Sequence, residues 1–315
     1  AATDRSRWRH AAALALVVGT CSAVNSTAIL MVAPAPVLWL LDAAWRGRVP
    51  WRRAASTAVR VALLCTGTSL WWIEMVRIQG TYGADLLGFS ESLQATSFTS
   101  ASTEVLRGMG YWLFYVRDAY AFTTTAGGTF MSSPVLIALT FVVLVAGLIG
   151  LVGSRWEARR FAALLVVTGT VLAVGVHPID DPSPLASPIA AHSRSAVALA
   201  LRSSARAVPL VVLGLALGLG ALTVVLADRI GTGRPVRRHA VAAAVTVLLV
   251  TANPAFLDGS LVDPSLSRGD PPTAWLDAAD ELSRGDTGAR VLQLPGSEFG
   301  AFAWGYTVEI GRAHV

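Results

Sequence analysis

Residues 100–118, SASTEVLRGMGYWLFYVRD, carry Glu104, Arg107, Arg117 and Asp118 among four aromatic side chains. A guanidinium binds phosphate or carboxylate oxygens through parallel N–H donors, and aromatic faces offer apolar surface to flat or ring-shaped ligands. With Ser102 as the helix cap, Glu104 falls in the first turn, where the helix dipole favours an acid. Val105, Met109 and Trp112 then recur on one face, and Glu104, Arg107 and Tyr111 on another. The spacing predicts a helix lying along a membrane interface, apolar side in lipid and polar side toward the space its loop encloses. Gly108 and Gly110 weaken it. The plainer alternative is an interfacial anchor whose aromatics form a belt.

Two more arginines invite the same chemistry. Arg202 and Arg206, four residues apart, are expected on one helix face just before an apolar stretch, where two planar forks suit a lipid phosphate. Ordinary contact with anionic lipid explains them as well. Glu74 lies near a membrane boundary, where an acid is a functional candidate, but Arg77 three residues on makes a simple ion pair the favoured reading. His177, Asp180, Asp181 and His192 raise the question of a metal. Their spacing is loose and proline-rich, so no metal site is expected.

These residues need elements to hold them, and the composition says which. The chain has 54% hydrophobic and 14% charged residues, with a mean hydropathy of +0.57. Ordinary soluble domains carry about 25% charge. Runs such as SSPVLIALTFVVLVAGLIGLVG (132–153) and VPLVVLGLALGLGALTVVLA (208–227) are long enough as helices to cross a hydrocarbon core. The chain reads as a multi-pass membrane protein, with helices at about 11–24, 27–43, 54–77, 134–153, 161–176, 208–227 and 238–252. GLALG (214–218) adds a small-residue motif for close helix approach.

The net charge of +5 comes from arginine, since the chain has no lysine. The arginines cluster at 5–9, 46–53, 155–160 and 229–238, beside the apolar runs. That is a topological pattern, not a nucleic-acid footprint, and it places the four clusters on the cytoplasmic side. Loops 79–133 and 177–206 then lie outside, as does everything after Asn253. Cys21 and Cys65 sit in apolar segments, against a disulfide framework. In the tail, 272–285 has an acidic amphipathic helix pattern, and ARVLQLPG after it reads as a strand and turn. Residues 253–308 are thus expected to begin a soluble α/β domain. The chain opens without methionine, and EIGRAHV (309–315) reads as an artefactual tail; residues 1–308 are read as an internal piece of a longer protein.

The order of these features resembles a known family. AVNSTA (23–28), LWW (70–72), EVLRG (104–108), LRSSARAVPLV (201–211) and RVLQLPGSEFGAFAWGYT (290–307) are similar to the alpha-(1→3)-arabinofuranosyltransferases of cell-wall arabinan assembly. Those are large GT-C glycosyltransferases that take decaprenylphosphoryl-arabinose as donor and growing arabinan as acceptor. The resemblance implies a mainly α, polytopic bundle, the second half of a GT-C core, followed by the start of an extracytoplasmic domain in the cell membrane. It implies a lipid-linked donor, an arabinan acceptor, no evident cofactor and no metal. The catalytic base is expected N-terminal to this piece, which alone is expected to be inactive. Arg202 and Arg206, then Arg107, are the candidates for the donor phosphate, with Glu104, Tyr111, Trp112 and Glu74 facing substrate. A transporter or lipid flippase, or a non-catalytic membrane scaffold, is the competing reading. Charges at span boundaries, rather than inside spans, favour an interfacial enzyme.

Overall fold

A computed structural model describes residues 2–22, 26–82, 92–117, 124–193, 195, 198, 201–230, 235–259, 271–285, 300–302 and 305–307. Among these the protein is mainly helical. Four stretches are long and apolar enough to cross a membrane: Thr27–Trp45, Trp51–Ile78, Pro134–Gly153 and Ser204–Ile230. They make it a membrane protein.

The N-terminal part contains α1 (Ala2–Ser22), α2 (Ser26–Val32), α3 (Pro34–Trp45) and α4 (Trp51–Tyr82). A proline, which lacks the N–H that would continue the helical ladder, separates α2 from α3. α1 packs along α4, where Thr68 Oγ1 donates to the Ala15 carbonyl at 3.3 Å. Five short elements belong to the region between spans: α5 (Leu93–Ser97), α6 (Ser102–Leu106), a 3-10 turn at Trp112–Phe114, α7 (Thr125–Ser132) and α10 (Ser187–Ala191).

The core is built by α8 (Pro134–Gly153), α9 (Arg159–Val174) and α11 (Val208–Ile230). Ser133 caps α8, its Oγ accepting from the Leu136 N–H at 3.4 Å, and Pro134 fits the first turn, where a missing N–H costs nothing. Leu144, Ala162, Leu165, Val166, Leu210 and Val211 fill the shared interior. α11 wedges between the other two helices, and GLALG is why it can. A Cβ on Gly214 would come within 2.6 Å of the Ala162 carbonyl on α9. One on Gly218 would lie 2.3 Å from the Gly147 carbonyl on α8. The two glycines of one motif thus admit two different neighbours. α12 (Pro235–Thr251) lies against α11 and leaves most of its surface exposed.

The bundle has two polar ends. At one, Asp42 is buried and accepts from Arg46 Nε at 3.1 Å and Arg48 Nη2 at 2.8 Å. Arg46 Nη1 donates to the Glu157 carbonyl at 2.6 Å, and Arg48 also pairs with the Glu157 carboxylate. The arginine clusters at 46–48 and 155–160 therefore share one end. The other end gathers 92–117, 174–177 and 202–207.

The described residues of the tail form a short helix, α13 (Ala255–Asp258), then α14 (Thr273–Arg284), exposed throughout. An antiparallel hairpin follows, pairing Gly300–Phe302 with Gly305–Thr307. The strand expected in ARVLQLPG lies outside the described residues, as do Asp118, most of AVNSTA's turn and 308–315.

Candidate functional site

The loop-rich end is held together by buried hydroxyls. Thr96 Oγ1 donates to the Arg202 carbonyl at 2.7 Å, and Ser100 Oγ to the Val174 carbonyl at 3.2 Å. Ser204 Oγ donates to the Ala173 carbonyl at 3.1 Å, and the His177 Nδ1–H to the Ser97 carbonyl at 2.9 Å. Polar side chains thus tie backbone carbonyls of distant segments together at this end. Segments more than 70 residues apart in sequence become one platform.

Residues 100–118 do not form the expected interfacial helix. α6 ends at Leu106, because Gly108 (φ 86°) and Gly110 (φ 98°) adopt left-handed backbone that reverses the chain. A Cβ on Gly110 would lie 3.3 Å from Val105 Cγ2, so the turn is tight as well as left-handed. The apolar side also faces elsewhere. Val105 and Met109 are buried, Val105 in the helical core and not in lipid.

The turn gathers the charges. Arg107 Nε donates to Glu104 Oε1 at 3.0 Å and Nη2 to Oε2 at 2.9 Å, a side-on bidentate pair. The Arg107 side chain is 2% exposed and that of Glu104 25%. The chain then returns through the 3-10 turn, and the Tyr115 hydroxyl donates to Glu104 Oε2 while accepting the Gly110 N–H at 3.2 Å. Burial, and then the adjacent Glu104 carboxylate, push the Tyr115 phenol well above its usual range, so it remains a donor. Removing two charges from water is costly, and the extra hydrogen bond from Tyr115 is the kind of support a buried pair requires.

Arg107 lies at the end of a cavity of about 470 Å³. Thr140 and Leu144 of α8, Val212, Leu215 and Leu219 of α11, and Val245, Leu249 and Asn253 from α12 and its end line it, with Met109, Phe114 and Phe130 beside Arg107. Arg107 is the one charged residue among the described residues of this lining, with Thr140, Thr223 and Asn253 the remaining polar side chains. Arg107 Nη1 reaches Thr140 Oγ1 at 3.4 Å. An apolar groove with a single guanidinium at one end matches an amphiphile with an anionic head.

The other candidates separate. Residues 202–206 run through a turn into a 3-10 helix (Ser204–Ala207), so Arg202 and Arg206 do not share an α-helical face. Arg206 turns to Tyr111: its Nη2 donates to the phenol oxygen at 3.3 Å, and its guanidinium lies 5.7 Å from the ring centroid. Tyr111 is flanked by Trp112 and Phe114, centroids 6.1 and 6.0 Å away, and Phe114 also lines the cavity. Trp112 Nε1 is buried without a hydrogen-bond partner among the described residues. Arg202 and Arg206 are not among the described lining residues. Glu74 forms an exposed ion pair with Arg77 on α4 and takes no part in the cavity lining.

Among the described residues no three His, Cys, Asp or Glu side chains gather as a metal site. His192 Nδ1 donates to the Pro188 carbonyl at 2.9 Å, and His177 is engaged as above. The residues that sequence reasoning passed over are Tyr115, Thr140 and Asn253. A threonine in an apolar run and an asparagine after one carry no pattern that marks a site. Tyr115 was hidden in the aromatic cluster.

Comparison with known proteins shows the family. The family described as "Alpha-(1->3)-arabinofuranosyltransferase, N-terminal GT-C domain" matches residues 1–310. An alpha-(1->3)-arabinofuranosyltransferase of Mycolicibacterium smegmatis is 31% identical over 320 aligned positions, covering 94% of this chain and 21% of that protein. The chain therefore spans about a fifth of the length of the curated relative it matches. No solved structure matches. On the match across nearly its whole length, the chain belongs to the alpha-(1->3)-arabinofuranosyltransferase family, in its N-terminal GT-C domain.

Proposed function

We propose that this chain is part of a membrane glycosyltransferase that moves arabinofuranose from a polyprenyl-phosphate donor to arabinan on the outer face of the membrane. The observation that carries the reading is the cavity between α8, α11 and α12, apolar along its length and headed by Arg107. The polyprenyl chain lies against Leu215, Leu219 and Leu249, and the phosphate meets the Arg107 guanidinium. The acceptor hydroxyl attacks the anomeric carbon as a general base takes its proton, the bond from that carbon to the phosphate oxygen breaks, and the phosphate leaves with the electron pair. Arg107 stabilises the charge that builds on the departing oxygen. Tyr111, Trp112 and Phe114, adjoining the cavity through Phe114, form the surface on which acceptor sugars stack. Arg206, held on Tyr111, orders that surface, and Arg202 is a further candidate for the phosphate.

The orientation is part of the proposal. The positive-inside rule puts the Arg46–Arg48 end in the cytoplasm and the Arg107 end outside. In a cysteine-free full-length protein, Thr125→Cys should react with an impermeant thiol reagent in intact cells and Arg52→Cys should not; the reverse pattern rejects the orientation.

The site is tested by donor binding and transfer with Arg107→Ala and Arg107→Lys in the full-length protein. Charge-assisted hydrogen bonds contribute on the order of 1.5–3 kcal/mol, so Arg107→Ala should weaken donor use about 10- to 100-fold. Lysine keeps the charge but loses the fork, and should rescue only part of it. Wild-type donor affinity in both variants would remove Arg107 from the site.

A further inference from the structure

We propose that Tyr115 is a positioning residue for phosphate recognition: its hydroxyl fixes the Glu104 carboxylate, which in turn aims the Arg107 guanidinium at the cavity. The inference rests on the reading of Arg107 above and adds to it the device that sets the guanidinium's direction.

The geometry is a closed chain of hydrogen bonds. The Gly110 N–H donates to the Tyr115 oxygen at 3.2 Å, the Tyr115 O–H donates to Glu104 Oε2, and both Glu104 oxygens accept from Arg107. The left-handed turn at Gly108 and Gly110 brings Tyr115 back over α6, so the loop's fold and the guanidinium's direction are coupled. Glu104 stands in a helix of five residues. Without the phenol, the carboxylate keeps only Arg107 as a described hydrogen-bond partner, and the pair can swing together.

The same pairing decides which edge of Arg107 meets a ligand. Nε and Nη2 are occupied by Glu104. Nη1 has one described partner, Thr140 Oγ1, at a long 3.4 Å, and that hydroxyl already donates to the Ile137 carbonyl at 2.8 Å. Nη1 is therefore the edge directed to the cavity, and Glu104 keeps it there. Glu104 itself is not among the described lining residues, so the counter-ion lies behind the guanidinium and not beside the ligand. Tyr115 is not among them either. Tyr115→Phe thus deletes the hydroxyl without changing the cavity wall.

A hydrogen bond that only held the loop would serve an uncharged ligand and a phosphorylated one alike. One that aims a guanidinium serves the phosphate alone. The test uses the full-length protein in lipid nanodiscs and two probes of equal chain length, a polyprenyl phosphate and the free polyprenol. Tyr115→Phe should weaken the phosphate about five-fold, the loss of one hydrogen bond, and leave polyprenol binding unchanged. In an Arg107→Lys background the same substitution should have no further effect, because the fork that Glu104 aligns is gone. Equal weakening of both probes would overturn the proposal and make Tyr115 a structural residue. Unchanged phosphate binding by Tyr115→Phe, with Arg107→Lys still impaired, would also overturn it while leaving the Arg107 reading intact. Wild-type phosphate binding by Arg107→Lys would reject that underlying reading, a result distinguishable from the other two.

Discussion

The two polar ends of the bundle use the same chemistry, arginine against a carboxylate, in opposite ways. At the arginine-rich end Asp42 is buried, but its partners Arg46 and Arg48 remain part-exposed, and Arg48 reaches on to a Glu157 side chain that is 75% exposed. Water and several partners share the charge there. At the loop-rich end the cation itself is buried, and its acid is held by one phenol. An exposed network can re-form around a lost member, whereas a buried guanidinium has no substitute for its carboxylate. The first arrangement suits fixing helix ends at a membrane boundary. The second suits holding one charge in a set direction beside an apolar groove, where low dielectric strengthens it.

Three substitutions bear on that contrast. The largest effect is expected from Glu104→Ala, which leaves Arg107 buried without its counter-charge; a loss of about 3–5 kcal/mol is expected, read as thermal unfolding in nanodiscs. A loss no larger than that of a surface pair would erase the distinction between the ends. Asp42→Ala should cost less, about 1–3 kcal/mol, because Arg46 and Arg48 keep contact with Glu157 and with water. If Asp42→Ala matches Glu104→Ala, burial of the acid rather than of the cation is the governing variable. Smallest should be Asp228→Ala, which removes an exposed pair with Arg238; exposed ion pairs contribute about 0–1 kcal/mol. Raising the salt concentration should diminish this last effect and leave that of Glu104→Ala nearly unchanged, since buried pairs are screened far less.

Much of the helical frame was legible because hydropathy is a local property. The helix read at 134–153 has the observed bounds Pro134–Gly153, where a serine cap and a first-turn proline mark the start as clearly as hydropathy marks the length. Close approach through GLALG was legible too, though not that its two glycines meet different helices. Other readings needed correction where local pattern met a backbone constraint. Helical spacing in 100–118 was real, but two positive φ angles at Gly108 and Gly110 outweighed it. The i, i+4 spacing of Arg202 and Arg206 presumed an α-helix where the chain takes a turn and a 3-10 helix.

What the sequence by itself determined is where apolar segments begin and end, which family the chain resembles, and that the charges gather at the ends of spans. Each follows from residue type and short-range spacing, which the bilayer reads directly. Only the tertiary structure decided which arginine lines the cavity. Arg107 meets Thr140 across 33 positions, Arg206 meets Tyr111 across 95, and Thr96 meets Arg202 across 106. Pairings over such distances depend on how three helices pack and on which loops their ends bring together, and no local pattern encodes that.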